Sequence, residues 1–470
     1  MAIIGFNSKL QGALAQDPLP LGLPAQDSIF QGHLPQGSLP QGSLPQGSLP
    51  QGSGALFDDV YIIDGQRTPF GKLNGRLSSV SPTDLGIFAS RAAIEKSGVD
   101  AKDIDQTLVA NIGQASADSF FLPRHISLYA GAPEGSTALL AQRICGSGIE
   151  ILAQAAEQIA LNKAELILAC GTDTMSRFPL ASYTCRQGFA LGRPDFIDLL
   201  WEALNDTAAV PMGQTADNIA SQYHLSRDLV DQFAYISQQR YADANSAGFY
   251  DGERCAIPAK GVFEIAGLKP RKYRLNGRDA VNCESFDCDE HPRQTSMEKL
   301  ASLPYVFSKE GPTTAGTASG IVDGAASVLI ASGDYVRAHG LTPLGKIKGF
   351  ANVGVKPDVM GIGPVPASKK VLALAGMSID QMDVIELNEA FASVVLHYMD
   401  VLNVSHDIIN VNGGAIAMGH PLGATGLAQC YELTHQLRGT AQRRQVEGAR
   451  TGYSHVYGAP GLSGVTILSR

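Results

Sequence analysis

The sequence predicts an α/β protein built on a layered sheet of parallel strands. Two observations point there. Short apolar runs alternate with longer stretches of helical periodicity, the signature of strand–helix–strand units. Of the 470 residues, 51 are glycine and 44% are hydrophobic, which suits many tight turns around sizeable cores.

The first 55 residues stand outside this pattern. From Leu34 the unit Leu-Pro-Gln-Gly-Ser occurs four times, ending at Ser53. Proline every five residues is incompatible with helix or strand, and too little apolar surface is present to offset ordering entropy. A disordered extension is expected over 1–55. Lys9 is its only Lys or Arg, and no compact apolar run resembles a secretory signal. A cytoplasmic address is the expectation.

Folded sequence starts near Phe57. Val60-Tyr61-Ile62-Ile63 reads as a strand. Helical periodicity over 83–97 stops at Gly98. Thr107–Ala110 is a short strand, 149–161 a helix, and Leu166–Gly171 a buried strand. Residues 178–310 are more charged, more aromatic and less regular, with helices near 214–223 and 227–247, and read as an insertion. Regular patterning returns at 320–330 and runs from about 342 to the end. The expected division is 56–177 with 311–335, the insertion 178–310, and 336–470.

The net charge of −9 argues against a general nucleic-acid binder. It leaves room for an anionic cofactor held by local basic groups and backbone N–H groups. The seven cysteines form no CxxC pair, so neither a disulfide framework nor a zinc site is suggested. No apolar run approaches the ~20 residues of a membrane span.

Cys145 lies in Arg-Ile-Cys-Gly-Ser-Gly, directly before the 149–161 helix. Free N–H groups and the helix dipole favour a thiolate there, and glycines admit a substrate carbonyl. Those are the requirements of an acyl-accepting nucleophile. A lone cysteine near a helix is more often core packing. Asn388-Glu389-Ala390-Phe391 follows a strand-like run and opens a helix, so Asn388 also fits a cap. His420, between Gly419 and Pro421 in a glycine-rich loop, suits a positioned base or a satisfied structural histidine.

Taken together these segments resemble the thiolase family. Cys145-Gly-Ser-Gly, Asn388-Glu-Ala-Phe and Gly419-His420-Pro421 match its motifs in order and spacing. So do the stretches 63–71, 212–218 and 314–320. The resemblance implies two similar α/β halves in an α/β/α/β/α arrangement, with 178–310 as the inserted loop domain. It implies exchange between 3-oxoacyl-CoA plus CoA and acyl-CoA plus acetyl-CoA, with no permanent cofactor, and a homodimer or homotetramer. Cys145 would carry the acyl group, His420 would take its proton, and Asn388 would position a water at the enolate. Met212, Ser319 and Arg293 would contact CoA; for Ser319 a plain turn role is the alternative.

The chain departs from the family in three places. Pro211 and Thr317 stand where many relatives have histidine and asparagine. No cysteine follows Cys430, whereas most thiolases have a second catalytic cysteine near the C-terminus. That position falls on His455, Tyr457 or Gly458 depending on the gap; matching the sterol-carrier-like branch selects His455, whose imidazole suits acid/base work. Two other readings stay open: acyl transfer or thioester hydrolysis without carbon–carbon chemistry, and a catalytically weak acyl-CoA-binding subunit.

Overall fold

The computed structural model describes residues 49–276, 284–441 and 444–470. The first half supplies β2 (Val60–Arg67), α1 (Pro82–Ser97), β3 (Gln106–Ala110), α2 (Leu122–Ala130), β4 (Thr137–Ala141), α3 (Ser147–Ala160), β5 (Leu166–Thr174) and β6 (Val322–Ser332), after a short β1 (Gly54–Leu56). The insertion between β5 and β6 contains α4 (Met212–Gln222) and α5 (Arg227–Ser246). The second half supplies β7 (Gly345–Gly354), α6 (Pro364–Ala375), β8 (Val384–Leu387), α7 (Ala392–Leu402), α8 (Leu422–Arg438), β9 (Thr451–Gly458) and β10 (Leu462–Ser469).

Local chemistry sets the element ends. Ser81 caps α1 by accepting the Asp84 N–H, Pro82 opens the helix, and Gly98 closes it at φ 71°. Gly439 closes α8 at φ 74°.

The two halves repeat one plan, β-α-β-α-β-α-β-β. In the second half the third strand shrinks to one parallel bridge, Ile385 to Ile409. The sheet runs β8-β9-β10-β7-β2-β6-β5-β3-β4. Strands β2 and β7 join the two halves of the sheet through Gly345–Ile62 and Lys346–Tyr61. Helices α3 and α8 each touch strands of both halves, whereas α1 lies on β2, β5 and β6 and α6 on β7 and β10. The core therefore sits on both faces of a central helical layer.

The expected parallel sheet is mixed instead. β3 pairs in parallel with β4 and β5, as β8 does with β9. β6 is antiparallel to both neighbours, and β9–β10 form a hairpin. A three-residue connection leaves no room for a crossover, so that pair has to be antiparallel.

Residues 1–48 of the expected disordered extension lie outside the described residues, but its end is ordered. Lys370 Nζ, on α6, donates to the carbonyls of Pro50 (2.9 Å) and Gly52 (2.6 Å). Asn352 N–H donates to Ser53 O at 2.9 Å. Gly52 has φ 131°, and a Cβ there would fall 2.0 Å from Asn352 O. β1 then pairs antiparallel with β7.

Candidate active site

Cys145 ends a tight elbow between β4 and α3. Ile144 has φ 45°, costly for a β-branched residue. Ser147 holds the turn: its hydroxyl donates to Ile144 O (2.6 Å) and accepts Arg143 N–H (2.7 Å). Arg143 and Glu150 pair at 2.9 Å across the first turn.

The elbow meets the start of α8 through glycines. A Cβ on Gly148 would lie 2.8 Å from Gly423 O, one on Gly426 2.7 Å from Ile149 N, and one on Gly171 2.0 Å from Gly423 O. No larger residue permits this approach. Asp173, on β5, accepts N–H groups from Ile112, Gly113 and Gly423 and the Asn111 amide. Burial pushes its carboxyl up to about 7 in spite of those donors. The segments leading into α3 and α8 thus lie side by side.

His420 stands just before α8. Its backbone N–H donates to Gly320 O (3.0 Å), and Nδ1 is hydrogen bonded to Thr425 Oγ1 at 2.6 Å. Asn388 Nδ2 stands 3.4 Å from Nε2. An amide N–H is a donor, so this arrangement fits Nδ1–H bonded to Thr425 and a lone pair on Nε2. Asn388 Oδ1 is buried without a partner among the described residues. Its backbone N–H donates to His455 O.

Glu389 ties these loops together. It accepts from Ser237 Oγ on α5 (2.6 Å), Asn410 Nδ2 (2.9 Å) and Ile416 N–H (3.2 Å).

Cys145 is only 3% exposed, and burial pushes its thiol up to about 12, with Asp173 adding to the rise. Sequence reasoning expected a thiolate from the helix terminus; desolvation of the charge outweighs it. Burial lowers His420 to about 4. The resting pair is a thiol and a neutral imidazole, so attack requires a proton transfer.

The other expected residues are placed as follows. Ser319 N–H donates to Ala390 O, beside the Asn388 loop. Met212 begins α4 and packs in the cluster containing Ala390 and Phe391. The Arg293 guanidinium turns inward, to His291 Nε2 (3.0 Å) and Ala315 O (3.4 Å). His291 in turn bonds Ala417 O at 2.8 Å, in the loop leading to His420.

His455 is not brought to the nucleophile. Side chains alternate along β9. Ser454 and Val456 point toward α8 and the first core cluster, and a Cβ on Gly458 would lie 3.3 Å from Cys145 Sγ. His455 lies on the other face with Tyr453 and Tyr457, its Nε2 bonded to Ser463 Oγ at 2.8 Å. Of the three positions considered for the missing cysteine, Gly458 is the one against Cys145. The choice of His455 is corrected accordingly.

Sequence reasoning missed Thr425, Asp173 and Ser147. Thr425 falls within the glycine-rich run, where its hydroxyl at the fifth position after His420 was the available signal.

Family models agree with this geometry. The N-terminal domain of thiolase matches residues 60–334 and its C-terminal domain residues 341–456. The chain belongs to the thiolase family. It is an acyltransferase of that type. It is 41% identical to the mitochondrial 3-ketoacyl-CoA thiolase of Bos taurus over 387 residues, covering 82% of this chain and 93% of that one. It is 39% identical to the beta-ketoadipyl-CoA thiolase of Pseudomonas aeruginosa over 396 residues, covering 82% and 94%. The crystal structure of human mitochondrial 3-ketoacyl-CoA thiolase in complex with CoA superposes with a TM-score of 0.79 at 37% identity, covering 87% of this chain and 97% of that one. Acetyl-CoA acetyltransferase from Syntrophomonas wolfei gives 0.77 at 31%, covering 88% and 100%. No helix among the described residues is long and apolar enough to cross a membrane. The mammalian relatives are named mitochondrial, so the expected cytoplasmic address gains no support from them.

Proposed function

We propose that this thiolase forms or cleaves 3-oxoacyl-CoA through an acyl-Cys145 intermediate, with CoA and acyl-CoA as its substrates. His420 Nε2 takes the Cys145 proton, and the thiolate adds to the acyl carbonyl. Asn388, with its unpartnered Oδ1, holds a water near the developing enolate oxygen. The CoA chain runs past Met212 and Ser319, and Arg293 steadies His291 under the His420 loop. The segment 178–310 acts as the loop domain over this site. The carrying observation is the glycine-mediated meeting of the α3 and α8 starts, with Asn388 3.4 Å from His420.

Incubation with acetoacetyl-CoA should add an acetyl mass to the Cys145 peptide, and CoA should discharge it. Cys145→Ala should abolish both the adduct and CoA-dependent cleavage. Cleavage surviving in that variant would end this reading.

We also propose a homodimer or homotetramer. β4 is an outer strand of the sheet, and Leu139, Leu140, Phe120 and Phe121 are exposed along it. An unpaired apolar edge of this kind is normally covered.

A further inference from the structure

Cleaving a carbon–carbon bond beside a thioester asks more of the protein than moving an acyl group between thiols. Both begin when His420 takes the Cys145 proton. In thiol exchange the thiolate adds to the thioester carbonyl, the C–S bond to CoA breaks, and the departing CoA thiolate recovers the proton from His420. In cleavage the thiolate adds to C3 of the 3-oxoacyl chain and the C2–C3 bond breaks. The electron pair is left on C2 as an enolate, which then needs a proton.

The groups around Cys145 decide where that proton comes from. The strand-end residue directed at the nucleophile is Gly458, whose Cβ would lie 3.0 Å from Cys145 Cβ and 3.3 Å from Sγ. It offers no protonatable group. Tyr457 issues from the opposite face of β9; its hydroxyl feels Cys145, but burial raises it well above the ordinary phenol range and its oxygen accepts the Phe391 N–H at 3.3 Å. His455 is on that face too, bonded to Ser463. Asp173 is committed to backbone and amide donors. Asn388 has no proton to give up.

We infer that His420 alone carries protons for both Cys145 and C2, so that acyl exchange between thiols outruns carbon–carbon cleavage. This rests on the proposed acyl-Cys145 reading. The proton count closes with one imidazole. His420 passes the Cys145 proton to C2, releasing acetyl-CoA. It then takes the proton of the entering CoA thiol, whose thiolate attacks acyl-Cys145. The Cys145 thiolate leaves and recovers that proton. One ring must therefore serve a sulfur and a carbon in turn.

The test compares two rates in wild type, Gly458→Cys and Gly458→Ala. One is exchange of labelled CoA into butyryl-CoA, which has no 3-oxo group; the other is CoA-dependent cleavage of 3-oxohexanoyl-CoA, which passes through the same butyryl-Cys145. Wild-type exchange should exceed cleavage by about tenfold or more, and Gly458→Cys should raise the cleavage-to-exchange ratio by about tenfold or more, a conservative share of the roughly 10²–10⁴-fold worth of a placed acid/base. Gly458→Ala fills the same space without a thiol and should not raise it. Wild-type cleavage as fast as exchange would overturn the inference, as would an equal gain in Gly458→Ala. Should Gly458→Cys fail to fold, the wild-type comparison decides alone. Absence of both exchange and acyl-Cys145 would instead remove the proposed function.

Discussion

Thr425 and His455 carry opposite lessons about single residues. Thr425 holds His420 Nδ1 at 2.6 Å and so leaves Nε2 free to accept a proton. Thr425→Val should lower kcat for acylation by about tenfold with little change in KM, as for other lost hydrogen bonds that orient a ligand or base, and Thr425→Ser should restore it. With Cys145 raised to about 12 and His420 lowered to about 4, both groups keep their resting forms between those values. Acylation rate should stay flat across neutral pH and fall as pH drops through about 4, where His420 takes up a proton; stopped-flow release of CoA would follow it. His455 should affect stability alone. His455→Ala leaves Ser463 unpaired and a hole in the core, a loss of about 2–4 kcal/mol in urea unfolding, with cleavage unchanged within about twofold. The wild-type imidazole is held neutral, lowered to about 3 against 6.5 for the free ring. The unfolded chain therefore binds an extra proton between those values. Wild type loses that stability as pH falls from 6.5 toward 3, and the gap to the variant should narrow.

Among the elements, the starts of α3 and α8 matter most. Gly171 lies beneath them, where a Cβ would fall 2.0 Å from Gly423 O. Gly171→Ala should cost about 1–3 kcal/mol by overpacking and slow acylation of the protein that remains folded, because the shift moves His420 relative to Cys145. Circular dichroism with a single-turnover assay separates the two effects. Helix and strand positions were readable from periodicity and caps; α1, α3, α5 and the strand at 166 fall within a few residues of expectation. Strand direction was not, because direction depends on β6, which returns only at Val322 after β5 ends at Thr174, and on a hairpin. The Cys145, Asn388 and His420 motifs were readable because each lies on one short stretch. Gly458 was not, because which residue of β9 faces Cys145 follows from strand parity and pairing with β10, which no local pattern reveals.

At the scale of the whole molecule, two copies of one α/β plan share a central pair of helices. The repeat is invisible as sequence identity; it emerges from matching order, with Ile409 as a vestige of the strand that β4 represents in the first half. That difference leaves β4 as an exposed edge in one half alone. If the proposed homo-oligomer forms through this edge, Leu139→Lys should give smaller species in light scattering at equal concentration, since a charge blunts an edge strand.

The clamp on the last Leu-Pro-Gln-Gly-Ser unit has a bearing on processing. Lys370 and Asn352 read only main-chain atoms of residues 50–53. A protease cutting before Leu49 would leave every one of these bonds in place, whereas a cut just after Ser53 would sever the clamped segment from the body that holds it. Chains trimmed to different lengths ahead of Leu49 would therefore keep one folded body, anchored by a lysine on a helix more than 300 residues further along the chain.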